Sequence, residues 1–286
     1  MKSFAVVSLL ASVAFAQSSL IPSGISSGCS TFLTTLNSDT TLSACTSPLV
    51  KATSALLNSS ATPSSSEVQS ALSSVCTSAS ACSESAIRTK IASFWSSCQT
   101  ELQDKNADVL ALFDTLYTIK PLLDSVCAKD DSGDFCVGSI PSSLTTTSLF
   151  TSSSSGSQTV FKPNTDTIKS NDVAFLLLTA DTAEATLCTS CARTILTTYV
   201  NWESDSPYAP VLANSAFLSN QATLFSAVTT KCGASFLQGA VQAAGSLSSG
   251  LLGDSSDSGA LANAQTGVAG LSVLLGAITV ALASAL

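Results

Sequence analysis

Apolar side chains recur every three or four residues through much of the chain, which predicts a succession of amphipathic helices. Ile87, Ile91, Phe94 and Cys98 fall on one such stripe. Strands would instead show a two-residue period bounded by turn signals, and such runs are scarce. The pattern therefore predicts a mostly α fold, a disulfide-stapled helical bundle with a Ser/Thr-rich internal loop.

Another stripe runs from Val109 to Tyr117 and meets Pro121, where we expect the helix to kink or restart. Trp95 and Trp202 both continue apolar stripes, so we predict that they pack in the core and do not stack on carbohydrate. Further stripes lie within residues 68–76, 122–127, 187–202 and 224–232.

Two polar stretches interrupt this pattern. In residues 142–159, 13 of the 18 side chains are Ser or Thr, and the composition of the stretch before residue 257 is similar. Such small polar side chains cannot build a core. We therefore predict a flexible, O-glycosylated loop over residues 142–165 and a short stalk over 244–256.

The first residues have the pattern of a secretory signal peptide. Lys2 supplies a positive charge, residues 4–13 are apolar, and Ala14-Phe15-Ala16 matches the small-x-small site of signal peptidase. The apolar run is shorter than the ~20 residues of a spanning helix. We expect removal of residues 1–16 and a mature chain that starts at Gln17.

Secretion makes N-glycosylation relevant. The sequence contains one sequon, Asn58-Ser59-Ser60. It precedes a turn rich in Pro and Ser, so we expect Asn58 to be exposed. The sequence therefore predicts one N-linked glycan.

A longer apolar segment, residues 268–286, contains no charge and is followed by none. A single-pass helix is usually followed by cytoplasmic Lys or Arg. Here small residues and a spacer precede the segment, which is the order of a glycosylphosphatidylinositol (GPI) anchor signal. We expect lipid attachment at Ser256, with Ser258 as the alternative, and removal of 257–286. An ordinary membrane protein is the rival interpretation.

Composition excludes several function classes. The chain has no histidine, so it contains no Ser-His-Asp or Cys-His catalysis, no His-ligated zinc and no His-ligated haem. It has 11 Lys and Arg against 19 Asp and Glu, a net charge of −8, and no basic cluster. We therefore expect no nucleic-acid partner. Ser and Thr make up 87 of the 286 residues, so the surface is polar but weakly charged.

An even number of cysteines in a secreted chain indicates disulfides. The Cys188-Thr-Ser-Cys191 segment leaves a zinc half-site or a redox motif as alternatives. Zinc would need a second pair of ligands, and a redox motif would need a βαβ context. We predict structural disulfides formed by Cys29, Cys45, Cys76, Cys82, Cys98, Cys127, Cys136, Cys188, Cys191 and Cys232.

The cysteines divide unevenly around the Ser/Thr-rich stretch. Seven precede residues 142–159 and three follow them. If all ten pair within the chain, at least one bridge must cross this stretch and tie the two halves together. One free or intermolecular cysteine in each half is the alternative. Among the bridges, we expect Cys127 to pair with Cys136 because the loop between them is rich in turn residues.

Acidic residues offer two further kinds of chemistry. Asp130, Asp131 and Asp134 surround a glycine and could hold calcium, although a solvated turn is the simpler interpretation. A glycosidase needs two facing carboxyl groups. The glutamates are scattered and most occupy predicted helix surfaces or starts: Glu67, Glu84, Glu101, Glu184 and Glu203.

The cysteine spacing, the two cysteine-bounded segments 127–136 and 188–191, and the two end signals resemble a fungal family of secreted, cysteine-rich, GPI-anchored surface proteins. That family carries a domain of unknown function. The resemblance covers most of residues 29–232 and implies a fungal cell-surface protein. It implies no catalytic residues.

We therefore expect a non-enzymatic surface or cell-wall protein, structural or adhesive, with no cofactor or metal. Its expected partners are a membrane, through the GPI lipid, and cell-wall glycan. A binding module for a small apolar ligand or a glycan is the alternative, and a wall-polysaccharide hydrolase is a third. The expected regions are 1–16 signal peptide, 17–141 cysteine-rich helical region, 142–165 loop, 166–243 second helical region packed on the first, 244–256 stalk and 257–286 propeptide.

Overall fold

A computed structural model of the protein describes residues 21–42, 45, 65–140, 150–155, 158–163, 169–206, 214–215 and 217–237. These residues are mostly helical and are stapled by disulfides, as the sequence predicted. The helices are α1 (Ser27–Asn37), α2 (Ser65–Ser78), α3 (Glu84–Ser97), α4 (Gln99–Gln103), α5 (Ala107–Val126), α6 (Glu184–Leu187), α7 (Ser190–Ser204) and α8 (Gln221–Cys232). Short 3-10 turns cover 79–81, 136–138 and 173–175.

Several helices begin at side-chain caps encoded in the sequence. Ser26 accepts the Cys29 N–H before α1, and Ser83 caps α3 in the same way. Asn106 caps α5, and Thr189 caps α7. Each cap satisfies a backbone donor that has no partner inside the helix, which fixes where the helix starts.

Helix α5 is the centre of the fold. It packs against α2, α3, α4 and α7, and most of its side chains are buried. The helix does not restart at Pro121, since α5 runs for 20 residues through the proline. Pro121 removes one N–H and so deprives one carbonyl, that of Tyr117, of its helical donor. Packing on several sides holds α5 together despite this loss.

A line of aromatic rings crosses the core from α1 to α7. Phe32 contacts Phe94 with ring centroids 5.4 Å apart, and Phe94 contacts Phe113 at 5.3 Å. The line continues through Tyr117 to Trp202, whose rings lie 6.0 Å apart. Most of these pairs meet edge to face, which aromatic quadrupoles favour. The core therefore extends without a break from the first half of the chain into the second.

Both tryptophans contribute to this core, as predicted. Trp202 is 4% exposed. Trp95 is partly buried and lies 6.5 Å from the Phe113 ring.

All ten cysteines are paired. The bridges are Cys29–Cys98, Cys45–Cys82, Cys76–Cys127, Cys136–Cys191 and Cys188–Cys232. The bridge between Cys136 and Cys191 joins the chain on either side of the Ser/Thr-rich stretch. The predicted covalent tie between the two halves is therefore confirmed.

The expected bridge between Cys127 and Cys136 is wrong. Cys127 lies at the end of α5 and is bonded to Cys76 on α2. Cys136 is fully buried and is bonded to Cys191 on α7. The turn between them is closed by backbone bonds instead, including one of 2.9 Å from the Cys136 N–H to the Ala128 carbonyl. Short sequence separation did not decide the pairing, because the two side chains serve different helix contacts.

The predicted flexible loop over 142–165 also needs correction. Its described residues form an antiparallel hairpin of β1 (Phe150–Ser155) and β2 (Gln158–Pro163). The register pairs Phe150 with Pro163 and Ser155 with Gln158. Thr159, Val160 and Phe161 of β2 favour extended backbone, whereas β1 is mostly serine and is paired along its whole length with β2. The predicted stalk, residues 244–256, lies outside the described residues.

Candidate functional site

The acidic segment forms a tight turn that uses its own carboxylate. Asp130 Oδ1 accepts the N–H groups of Ser132 at 2.8 Å and Asp134 at 3.0 Å. Gly133 adopts φ +88°, which a side chain would disfavour, and so lets the chain reverse. Asp131 and Asp134 are exposed. This arrangement agrees with the predicted solvated turn.

Asp130, Asp131 and Asp134 are not among the potential metal ligands that the described residues bring close together. Within the described part of the chain, the only three potential ligands gathered within 4.8 Å are Cys29, Cys98 and Glu101. Cys29 and Cys98 share a disulfide, so they offer no thiolate.

Four of the five glutamates considered as catalytic candidates lie in first turns of helices. Glu67 begins α2, Glu84 begins α3, Glu101 begins α4 and Glu184 begins α6. A negative charge there interacts favourably with the helix dipole. The interpretation of these residues as helix-start positions is confirmed. The fifth, Glu203, is placed differently.

Glu203 lies in the last turn of α7, and 1% of it is exposed. Its Oε2 accepts a hydrogen bond of 2.6 Å from Gln221 Nε2 on α8. Its Oε1 has no partner among the described residues. Burial raises the pKa of Glu203 to about 8, and the Gln221 hydrogen bond opposes this rise only in part. The side chain is therefore a neutral carboxylic acid at neutral pH.

Two tyrosines are buried near this carboxyl group. Burial, followed by the charge of Glu203, raises the pKa of Tyr117 and of Tyr199 well above the ordinary value. The nearby Ser206 hydroxyl and the Arg88 guanidinium act in the opposite direction on Tyr117. Tyr199 donates its hydroxyl to the Ala174 carbonyl at 2.5 Å. Neither phenol can serve as a base at ordinary pH.

We call Tyr117, Trp202, Glu203, Ser206 and Gln221 the buried polar cluster. Each is at most 4% exposed. Trp202, Glu203 and Gln221 each carry a polar side-chain atom without a partner among the described residues, whereas the Ser206 hydroxyl is hydrogen-bonded to Tyr117. An unsatisfied buried polar group costs about 1–3 kcal/mol. The cluster therefore carries a cost in stability that the surrounding apolar packing has to offset.

Arg88 covers one side of the buried polar cluster. Its guanidinium carbon lies 5.1 Å from the centre of the Trp202 ring, a cation–π contact. Its terminal nitrogens are used elsewhere, since they pair with Glu84 and donate to the Asp205 carbonyl at 2.6 Å. The arginine thus pins the end of α7 to α3 and does not neutralise Glu203.

Comparison with known families gives one match. Residues 14–156, half of the chain, match a domain of unknown function, DUF7729. The chain belongs to the DUF7729 family. Comparisons with curated proteins and with solved structures find no match.

The DUF7729 match contains α1 to α5 but neither α7 nor α8. The buried polar cluster therefore straddles the border of the matched region. Tyr117 belongs to the DUF7729 region, whereas Glu203 and Gln221 come from the chain beyond it.

A second buried carboxyl group lies in the region beyond the DUF7729 match. Asp172 is 3% exposed and adopts a left-handed conformation with φ 47°. Burial raises its pKa to about 6, opposed by hydrogen bonding from Asn220. Asn220 directly precedes α8 and donates to the Lys169 carbonyl at 3.0 Å. Both buried acids thus lie close to the start of α8.

The Cys188-Thr-Ser-Cys191 segment serves structure. Its two cysteines belong to different bridges, one to Cys232 on α8 and one to Cys136 in the DUF7729 region. They form neither a redox pair with each other nor a zinc half-site.

The sequence analysis did not identify Glu203 as a buried acid, although its spacing from apolar residues could have indicated it. Ile195, Tyr199 and Glu203 are four residues apart, so the carboxyl group continues an apolar stripe of α7. A charged residue in such a position is expected to be buried with the stripe.

The predicted modification residues Asn58, Ser256 and Ser258 lie outside the described residues, as do both apolar end segments. In the part of the chain that is described, no helix combines the length and the apolar character needed to span a bilayer.

Proposed function

We propose that this DUF7729 protein is a non-enzymatic, GPI-anchored fungal surface or cell-wall protein with a structural or adhesive role. The observation that carries the proposal is its covalent stapling. Disulfides persist in oxidising environments outside the cytosol, and here all ten cysteines are paired. A body held by five bridges around one core is suited to persistence in the extracellular medium.

The placement of the acidic residues supports a non-enzymatic role. Four of the five candidate glutamates lie at helix starts, where the local geometry accounts for them. Glu203 contacts Gln221 inside the core. A glycosidase would instead require two carboxyl groups that face each other across a cleft.

The surface chemistry of the helices supports a position among glycans. Exposed Thr34 on α1 donates its hydroxyl to the Ser30 carbonyl one turn earlier, and Thr194 on α7 does the same with Ser190. These hydroxyls are satisfied within their own helix, and their oxygens can still accept bonds from outside. Such a surface is polar without being charged, which suits contact with neutral wall polysaccharide.

The proposed anchor can be tested by enzymatic release. Phosphatidylinositol-specific phospholipase C should cleave the lipid from the anchor and release the protein from intact membranes, and the released chain should keep the glycan part of the anchor at Ser256 or Ser258. The double variant Ser256→Leu/Ser258→Leu should lose the anchor, because the attachment site requires small residues. The matched control Ser246→Leu/Ser248→Leu, in the same stretch, should keep it.

Retention on membranes after phospholipase treatment, together with an unmodified peptide around Ser256, would show that the anchor proposal is wrong.

A further inference from the structure

The hairpin of β1 and β2 stands apart from the helical core. Among the elements that the structure describes, its two strands make extensive contacts with each other and few with any helix. A sheet of two strands is marginally stable in water by itself, and a third strand or a packed face is needed to stabilise it. The hairpin would therefore gain stability from a further strand.

The register shows which backbone groups of β1 face away from β2. In an antiparallel ladder, residue pairs that exchange both N–H···O bonds alternate with pairs that exchange none. Pro163 has no N–H and cannot complete such an exchange with Phe150, so this pair is of the second kind. By alternation, the backbone N–H and C=O groups of Phe150, Ser152 and Ser154 point outward. Within the described residues, no third strand pairs with this edge.

The two edges of the hairpin differ in how they are protected. Proteins commonly protect a sheet edge with lysine or proline. The edge of β2 ends in Lys162 and Pro163, and the proline also lacks a donor. Phe150–Ser155, the whole of β1, contains neither a charge nor a proline. Pairing is thus open at one edge and restricted at the other, which favours a closed pair of hairpins over an open fibre.

The charge pattern indicates that a second copy of the chain fits the edge of β1. The chain carries a net charge of −8, so two copies repel each other wherever their acidic residues meet. No charged residue lies between Asp134 and Lys162, however, and β1 falls within this neutral stretch. A second copy can therefore approach β1 without placing like charges opposite each other.

The strand β1 is also complementary to itself. An antiparallel pair of β1 strands centred on Ser152 places that residue opposite its own copy and Phe150 opposite the partner's Ser154. Each outward N–H of one strand then meets an outward carbonyl of the other. The same surface serves both copies, as a twofold interface requires.

We propose that the edge of β1 is a dimerisation site, at which two copies pair antiparallel about Ser152 and form a four-stranded sheet in the order β2-β1-β1-β2. The site goes beyond the proposed surface role and does not depend on the anchor, so the phospholipase experiment and the dimerisation experiments can fail separately. It requires the O-glycans predicted for residues 142–165 to lie outside β1, because a glycan on this strand would keep a second copy away.

Sedimentation equilibrium of the oxidised full chain, in density-matched detergent where an apolar tail is retained, can test the dimer. We expect a monomer–dimer equilibrium with a Kd at or below about 1 mM. Ser154→Pro removes one outward donor from each copy and should raise the Kd by about tenfold or more. Thr159→Pro is the matched control, because Thr159 lies opposite Ser154 in the ladder and its N–H faces the other edge. It should leave the Kd unchanged.

A charge exchange at Ser152 tests the register and does not depend on the proline variants. Ser152→Lys and Ser152→Glu should each weaken the dimer, because like charges meet where the two copies cross. An equimolar mixture of the two variants should dimerise again, since each lysine then lies opposite a glutamate. Recovery in the mixture also shows that both variants are folded.

Four results would overturn the proposal. They are a protein that stays monomeric at every concentration up to about 1 mM, equal effects of Ser154→Pro and Thr159→Pro, no recovery in the mixture, and an O-glycan mapped to Ser152 or Ser154 of the native protein. Binding of neutral wall glycan that Ser154→Pro abolishes, in a protein that remains monomeric, would assign the edge to a glycan and would overturn it as well.

Discussion

The start of α4 and the end of α7 each hold a glutamate that is almost completely shielded from water, yet the two behave in opposite ways. Glu101 is 7% exposed, and its Oε1 accepts the Ser26 backbone N–H at 2.6 Å. This bond lowers the pKa of Glu101 despite burial. Glu203 is 1% exposed and accepts one side-chain amide, and burial raises its pKa to about 8.

The difference follows from the hydrogen-bond donors around each carboxyl group and from the depth at which each is buried. Glu101 lies in the first turn of its own helix and also receives the N–H of the residue that caps α1. Backbone donors and a helix start stabilise its negative charge. Glu203 lies near the end of a helix, where the dipole disfavours an anion, among neutral aromatic side chains. The backbone hydrogen bond from Ser26 keeps the pKa of Glu101 low, whereas burial with a single amide donor raises the pKa of Glu203.

The largest expected effect comes from separating the two regions. The double variant Cys136→Ser/Cys191→Ser removes the bridge that ties the region of Glu101 to that of Glu203, a link across 55 residues. We expect the free energy of unfolding to fall by about 2–5 kcal/mol, measured by urea denaturation. The variant Cys45→Ser/Cys82→Ser, which opens a bridge across 37 residues within the first region, is the control.

If Cys136→Ser/Cys191→Ser unfolds in two separate transitions and Cys45→Ser/Cys82→Ser unfolds in one, the bridge between Cys136 and Cys191 is what makes the two regions unfold together. Unchanged stability in Cys136→Ser/Cys191→Ser would contradict the importance of the tie.

Next in size is the effect of Glu203→Gln. A raised pKa in the folded state means that stability is fully present below pH 4.5 and is lost as pH rises toward about 8. The variant keeps the shape of the side chain and removes this loss. We expect it to be more stable than the wild type by about 3–4 kcal/mol at pH 8 to 9 and nearly equal to it at pH 5. Thermal unfolding across this range measures the difference, and parallel curves would contradict it.

Glu101→Gln should act in the opposite direction. A lowered folded-state pKa means that stability is present above 4.5 and is lost as pH falls through the folded pKa. The variant should lose about 1–2 kcal/mol at pH 7, because the bond from Ser26 no longer ends on a charged oxygen. The deficit should shrink in acid. Greater stability than the wild type at pH 7 would break the comparison between the two glutamates.

The smallest expected effect belongs to Asp39. Burial acts to raise its pKa, but the bonds from Lys90 and from the Leu42 N–H outweigh it, and the pKa is lowered. Lys90 is partly exposed, so the pair is screened by solvent and salt. Asp39→Asn should cost about 0.5–1 kcal/mol at low salt and less in 1 M salt. A cost that is independent of salt would show that the Leu42 bond dominates.

Some of the candidate site could be predicted from the sequence. The general placement of the glutamates on helix surfaces or at helix starts could be predicted, and so could the acidic turn around Gly133. Glu203 was missed because nothing in its residue type distinguishes a buried glutamate from the exposed ones elsewhere in the chain. Its spacing from Ile195 and Tyr199 contained the information, but only packing of α7 against α5 makes that face an interior one.

The sequence by itself determined the helices, the core residues along their stripes and the need for a bridge between the two halves. The helices and core residues follow from local periodicity, and the bridge follows from the odd number of cysteines on each side of the Ser/Thr-rich stretch. Neither requires knowledge of the fold. The tertiary structure decided which cysteines pair, that β1 and β2 form a hairpin, and that Glu203 and Asp172 meet the start of α8. Each of these depends on which surfaces meet in space. Such contacts are set by the packing of whole elements, so neighbours in the sequence do not reveal them.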